Sequence, residues 1–240
     1  MIPSDTHLQI GSLLFEGVDQ IDLTGPFEVL SRIPNSTYRI YGKSREPVRD
    51  LRGLRLTADA ALADAPQLDV LHVPGGYGQE ALMEDEDVLG WIAEQAAGAH
   101  SVFSVCTGAL LCGAAGLLRG RRATTHWASF YLLPLFGAIP VNERVVVDGN
   151  WVFAAGVTAG IDGALRLAAE LRGDDAAKTI QLYMVYAPEP PFNSGTPESA
   201  RAAILAQARQ SLASITAQRE ATARRAVARL RIGIAATAAR

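Results

Sequence analysis

Cys106 lies between an apolar, β-branched run, Val102 to Val105, and a stretch of small and apolar residues from Thr107 to Leu118. The first stretch reads as a buried strand and the second as a helix. A side chain at a sharp strand-to-helix joint is pushed out of the sheet edge, over the first free amides of the helix. Those amides and the helix dipole favour an anion, so a cysteine there is expected to be thiolate-rich and nucleophilic. The alternative is a buried, inert thiol, because free cysteine often serves as a small hydrophobe.

Four other places carry chemistry that could serve such a sulfur. Pro74-Gly75-Gly76 follows the strand candidate Asp69 to Val73. The Gly75 and Gly76 amides, with that of Thr107, can approach and stabilise an anion without side-chain obstruction. An ordinary strand-exit turn explains the same glycines. Asp22, just ahead of Leu23-Thr24-Gly25-Pro26, is with Asp19 the carboxylate nearest that edge. Beside a thiolate its proton affinity rises, which suits an acid and base that shuttles one proton; its other reading is a helix N-cap. His126, in Thr124-Thr125-His126-Trp127, is either a supporting group behind the nucleophile or a capping residue. His72, inside a strand, reads as a satisfied core residue. No His, Asp or Glu pair has metal-ligand spacing and the phosphate loop GxxxxGK[ST] does not occur, so neither a metal nor a cofactor is expected.

These residues need a scaffold that brings loops to one edge. Strands are expected at Leu8 to Phe15, Tyr38 to Tyr41, Asp69 to Val73, Val102 to Val105 and Ala123 to Thr125, with a hairpin over Arg144 to Ala154 turning at Asp148-Gly149. Helices are expected at about Leu23 to Ser31, Asp85 to Ala97, Thr107 to Leu118, Ala128 to Phe136, Ala159 to Leu171 and Asp174 to Tyr186. The alternation predicts an α/β fold: a mostly parallel sheet flanked by helices on both faces, flavodoxin-like or class I glutamine amidotransferase-like. Ligands of such sheets bind beyond the carboxyl ends of the strands. Residues 1–190 form this domain in the reading. Residues 191–240 form an extended arm, broken by Pro188, Pro190 and Pro191, and one long C-terminal helix from Pro197 to about Arg231. Its stripe Ile204, Ala208, Leu212, Ile215, Ala223, Val227 and Leu230 must pack on the domain or on a second copy, and a homodimer is expected.

Composition narrows the classes. The 240 residues are 49% apolar without any run long enough to span a bilayer, so no membrane segment is expected. Met1 to His7 lacks a basic n-region, and two cysteines make no disulfide framework, so a reducing, cytoplasmic setting is expected. The net charge of -3 divides unevenly, with eight arginines against Glu198 and Glu220 after residue 196. Those arginines lie among alanines without interleaved aromatics, which argues for a solvated helix face, or one docked on an acidic partner subunit, and against nucleic acid.

The segments Asp22-Leu-Thr-Gly-Pro26, Pro74-Gly-Gly76, Ser104-Val-Cys-Thr-Gly108 and Ala123-Thr-Thr-His-Trp127 resemble the ThiJ/PfpI superfamily. The resemblance runs from residue 8 to about 190 and is greatest to its isocyanide-hydrating members. Thr158-Ala-Gly-Ile-Asp162 and Ala187-Pro-Glu-Pro-Pro-Phe-Asn193 extend it. Most of the superfamily sets a glutamate beside the nucleophile; the hydratases set an aspartate, matched by Asp22. Protease-like members have histidine after the cysteine, where Thr107 stands here. Ala154-Ala155-Gly156 departs from a more glycine-rich run. The resemblance implies a hydro-lyase that converts isocyanides to N-substituted formamides through a thioimidate on Cys106, with Asp22 moving the proton and no cofactor. Two other roles share the motifs: a ligand-sensing domain related to AraC-type regulators, and a non-enzymatic oxidative-stress sensor whose cysteine becomes sulfinic acid.

Overall fold

The computed structural model describes residues 1–238, with side-chain placements as far as residue 230. Seven strands form the main sheet: β1 (Leu8–Leu14), β2 (Ser36–Gly42), β3 (Ala60–Ala61), β4 (Val70–Val73), β5 (Ser101–Val105), β6 (Val145–Asp148) and β7 (Trp151–Ala154). Their order is β6-β7-β5-β4-β1-β2-β3, and every neighbouring pair is parallel except the β6-β7 hairpin. The chain leaves β1 for one side of the sheet and returns to pair β4 on the other. That reversal opens a crevice at the carboxyl ends of β1, β4 and β5.

Helices cover both faces. On one side lie α1 (Gln20–Leu30), α5 (Ala159–Arg172) and α6 (Asp174–Tyr183). On the other lie α2 (Gln79–Leu82), α3 (Glu86–Gly98), α4 (Gly108–Ala114), a 3-10 helix over Trp127–Phe136, and α7 (Ala202–Ala238). The burial pattern explains the parallel centre, since β4 and β5 are buried at every position. Two apolar clusters result, one on each face of the sheet.

The differences from the sequence expectation are local. α1 begins at Gln20, earlier than Leu23, because Asp19 caps it by accepting from the Ile21 amide at 3.2 Å. Pro26 therefore lies inside the helix. The stretch after His126 winds as a 3-10 helix containing Pro134. In the hairpin Asp148 pairs with Trp151, so the two-residue turn is Gly149-Asn150, with Gly149 at φ 62°, one residue beyond the expected position. Ala123 to Thr125 contributes only the short pair Arg122–Ala123 with Ile139–Pro140, outside the main sheet.

The C-terminal helix packs on its own domain through α2, α4 and the 3-10 helix. Arg219, Thr222, Ala223 and Ala226 form its buried stripe, while Ile204 near its start is 43% exposed. The seam is thus rotated from the expected apolar stripe, which shares only Ala223 with it, because the alanines at 223 and 226 allow a closer approach than Ile or Leu. Ala223→Leu should overpack this seam and cost about 1–3 kcal/mol. Thermal unfolding checks it: a helix that docks loosely would leave the midpoint unchanged.

Candidate active site

Cys106 follows directly on β5 and adopts φ 56°, a left-handed conformation that costs a non-glycine residue ~1–3 kcal/mol. The residue is held there at both backbone groups. Its amide donates to the Ala154 carbonyl at 2.9 Å, and its carbonyl accepts from the Thr125 hydroxyl at 2.7 Å. The neighbouring strand and the Thr124-Thr125 segment together maintain the strained turn.

Asp22 approaches from the adjacent crossover. It lies in the first turn of α1, is fully buried, and faces Cys106, with its Oδ1 left without a hydrogen-bond partner. Its Oδ2 accepts from the Gly75 amide at 3.0 Å. Since Asp19 occupies the cap, Asp22 is free of the alternative structural role. Pro26 has no N–H to offer the Asp22 carbonyl one turn earlier, so the helix leaves that carbonyl open. The His72 ring, tied through Nδ1 to the Ser12 hydroxyl at 2.6 Å, directs its other nitrogen towards it, outside full hydrogen-bond geometry. His72 is therefore not the satisfied core residue expected.

The glycine loop packs against both Asp22 and Thr107. A Cβ on Gly75 would stand 2.5 Å from the Thr107 nitrogen and 2.9 Å from Asp22 Oδ2, so no other residue fits without displacing the pair. Gly76 has φ 139°, and its amide donates to the Thr107 hydroxyl at 3.2 Å. The two glycine amides, read from sequence as anion donors, are thus already engaged by Asp22 and Thr107. The Thr107 amide is the one that favours a Cys106 anion.

The electrostatics correct the expectation of a resting thiolate. Burial pushes the Cys106 thiol well above its ordinary value, the Asp22 charge adds to this, and the Thr107 amide opposes it only in part. α4 is short and its dipole does not outweigh these effects. Burial, followed by the Asp19 charge, raises Asp22 to about 8 against hydrogen bonds from Cys106 and Gly75. At neutral pH the pair holds its protons.

A cavity of about 310 Å³ opens onto Cys106 and Thr107, bounded by Asp19, Tyr77, His126 and Trp127 and roofed by Leu212 and Arg219 of α7. His126 caps the 3-10 helix, its Nδ1 accepting from the Ala128 amide at 3.3 Å. Burial and the charge of Arg219 lower it to about 4. It is thus the capping residue of the second reading, and it also lines the cavity. Cys112 is fully buried, its thiol pushed up to about 12 by burial. Arg219 escaped the sequence reading, because it lies 26 residues beyond the last motif, on a helix rich in arginine. Among the described residues no three His, Cys, Asp or Glu side chains converge to hold a metal ion.

Residues 9–170 match the DJ-1/PfpI family. The chain belongs to that family. It is 51% identical over 225 residues to the isonitrile hydratase of Pseudomonas putida, across 94% of this chain and 99% of the relative. A ThiJ/PfpI family protein from Pseudomonas syringae superposes with a TM-score of 0.89 at 38% identity, covering 92% of this chain and 93% of that one. Similarity also reaches the HTH-type transcriptional regulator GbdR of Pseudomonas aeruginosa, at 29% identity over 74% of this chain and 50% of the regulator. Both higher-identity matches cover too much of the chain to stop at the family domain, so they include much of the arm and α7.

Asp22 generates a stability prediction. The unfolded aspartate ionises near 3.8, whereas the folded one keeps its proton to about 8. Its contribution to stability is therefore complete below pH 4 and is lost as pH rises towards 8. Asp22→Asn, which cannot ionise, should gain stability over wild type across that window, and ~1 kcal/mol corresponds to about 2–4 °C in a chain this size. Melting curves at pH 5 and pH 8 test the sign: a gap that stays constant between them would show that Asp22 is already ionised in the fold.

Proposed function

We propose that the protein hydrates organic isocyanides to N-substituted formamides, with Cys106 as nucleophile and Asp22 as the proton carrier. The observation that carries the reading is near-full-length similarity to an isonitrile hydratase in a chain whose buried aspartate faces a cysteine at a strained turn.

The mechanism starts from a protonated pair. The terminal carbon of an isocyanide is a weak electrophile until it accepts a proton. Asp22 donates that proton to carbon while the Cys106 sulfur attacks the same atom and returns the thiol proton to the carboxyl group. A C–H and a C–S bond form, an S–H bond breaks, and the product is a thioimidate on Cys106. No free thiolate accumulates at rest, in keeping with the raised thiol. Asp22 next protonates the imine nitrogen as water adds to carbon and loses a proton to the carboxylate. The tetrahedral adduct then breaks its C–S bond, its hydroxyl proton passing through Asp22 to sulfur. Formamide leaves and Cys106 is regenerated. The sum is isocyanide plus water, without electron transfer, so the steps need no cofactor. The Thr107 amide favours negative charge on sulfur during attack and departure.

The functional unit in this reading is a cytoplasmic homodimer. Its support is an exposed apolar surface at the end of α6 and on the arm, where Leu182, Tyr183, Val185 and Phe192 are each more than 70% exposed. Among the described residues no helix is long and apolar enough to cross a membrane.

Incubation with an aryl isocyanide should release the formamide. Cys106→Ser should abolish turnover and Cys112→Ser should keep most of it. Asp22→Asn should lose ~10²–10⁴-fold, the usual contribution of a general acid-base group. Loss below about threefold on that scale would remove Asp22 from the proton path. Because the reactive form is protonated, kcat/KM should fall as pH rises through about 8, where Asp22 gives up its proton. A rate that rises through that range would indicate a resting thiolate instead. Sedimentation at micromolar concentration should give a dimer, and Leu182→Arg with Phe192→Arg should shift it to monomer; a wild-type monomer would refute the assembly.

A further inference from the structure

Arg219 is buried, with 4% of its surface exposed, at the centre of the seam between α7 and the domain. Its Nε donates to Gln79 Oε1 at 3.0 Å, Nη1 to the Ser129 hydroxyl at 2.9 Å and Nη2 to the Gly76 carbonyl at 3.4 Å. All three partners are neutral. The neighbouring arginines behave differently: Arg224 pairs with Glu220 at 2.6 Å and Arg225 with Glu84 at 2.8 Å, both at the surface. Glu80, the acid closest to hand, is bonded to Thr222.

Burying a guanidinium without a carboxylate is costly unless an anion forms near it. The cavity holds the group that becomes one when sulfur reacts, because Arg219 and Cys106 line the same space. Cys106 is the foremost of the charges favouring protonated Arg219, ahead of Tyr77, Glu80 and Tyr131. His126 faces it from the 3-10 helix and is held neutral. Asp22 and Asp19 both disfavour the Cys106 anion. Arg219 is thus the cation set against two carboxyl groups.

The contact with Gly76 adds a mechanical link. The Thr107 hydroxyl donates to the same carbonyl at 3.3 Å and accepts from the Gly76 amide. Arg219 consequently tethers the glycine loop that Thr107 also holds, and Thr107 provides the amide nearest the sulfur.

We propose that Arg219 is a positioning residue for the Cys106 step, a fixed cation brought from the C-terminal helix that favours the sulfur anion as it forms and pins Gly76 against Thr107. It rests on the reading of Cys106 as the nucleophile. The family match ends at residue 170, so this part of the site comes from outside the shared domain.

The test is the pH dependence of Cys106 alkylation by iodoacetamide, followed by mass spectrometry in a Cys112→Ser background. No isocyanide is present in this measurement. Removing a nearby cation should move the alkylation midpoint of Arg219→Met upward by about one pH unit, slowing reaction about tenfold at a fixed lower pH. Arg219→Lys, which keeps the charge, should restore most of the rate. Arg219→Gln replaces Arg219→Met if the latter fails to fold, since it retains polar contacts without charge. Formamide production by the same variants should fall in kcat more than KM rises. An alkylation profile in folded Arg219→Met or Arg219→Gln that matches wild type would overturn the proposal, whatever the turnover. A normal charge effect on alkylation with no isocyanide turnover in wild type would instead sink the hydratase reading and leave the role of Arg219 standing.

Discussion

The site depends on one strained residue. Cys106 holds a left-handed backbone where β5 turns into α4, and that geometry lifts its sulfur above the sheet edge. Strain of this kind persists only where the surroundings over-determine it. Here β7 holds the amide through Ala154 and Thr125 holds the carbonyl. Close packing completes the constraint: a Cβ on Gly108 would collide with the Val73 carbonyl, so the start of α4 lies directly against the end of β4. Strand order thereby becomes chemistry, since β4 delivers the glycine loop, β1 leads to Asp22 and β5 carries the thiol.

Burial then determines how the pair behaves. A helix N-terminus alone would favour a thiolate, yet desolvation and a neighbouring carboxyl outweigh one short helix. The result is a neutral acid beside a neutral thiol, an arrangement suited to passing a proton rather than storing a charge. Asp22 can take part because Asp19 relieves it of capping and because Pro26 frees the backbone of its turn for His72 to approach. The two helix-start residues share the work: one closes the helix and the other faces the sulfur.

The C-terminal helix is more than an appendage. Its alanines at 223 and 226 permit a close seam, and the same seam brings Arg219 and Leu212 over the cavity. The site is walled by elements from both ends of the chain. Similarity to the Pseudomonas putida hydratase extends over 94% of the chain, whereas the match to the GbdR regulator covers 74%.

Much of this was legible in the residues. Strand-forming runs ending in Pro74-Gly75-Gly76 and in Cys106-Thr107-Gly108 carry their own local signals, apolar periodicity followed by glycine, so the α/β sheet and the position of Cys106 at a strand-to-helix joint follow from short-range preference. Asp22 was recognisable because a carboxylate soon after the first strand and at the start of a helix lands at the same edge. Other features required the tertiary structure. Whether Asp19 or Asp22 caps α1 depends on what the Asp22 side chain meets, and Gly75 comes from a strand about fifty residues away. The destination of the Gly75 and Gly76 amides, the protonation of the thiol and the neutrality of His126 depend on burial, which no local pattern encodes. Arg219 was invisible for the same reason: in sequence it is one basic residue on a helix rich in arginine, and only long-range packing sets it beside Cys106 rather than in water.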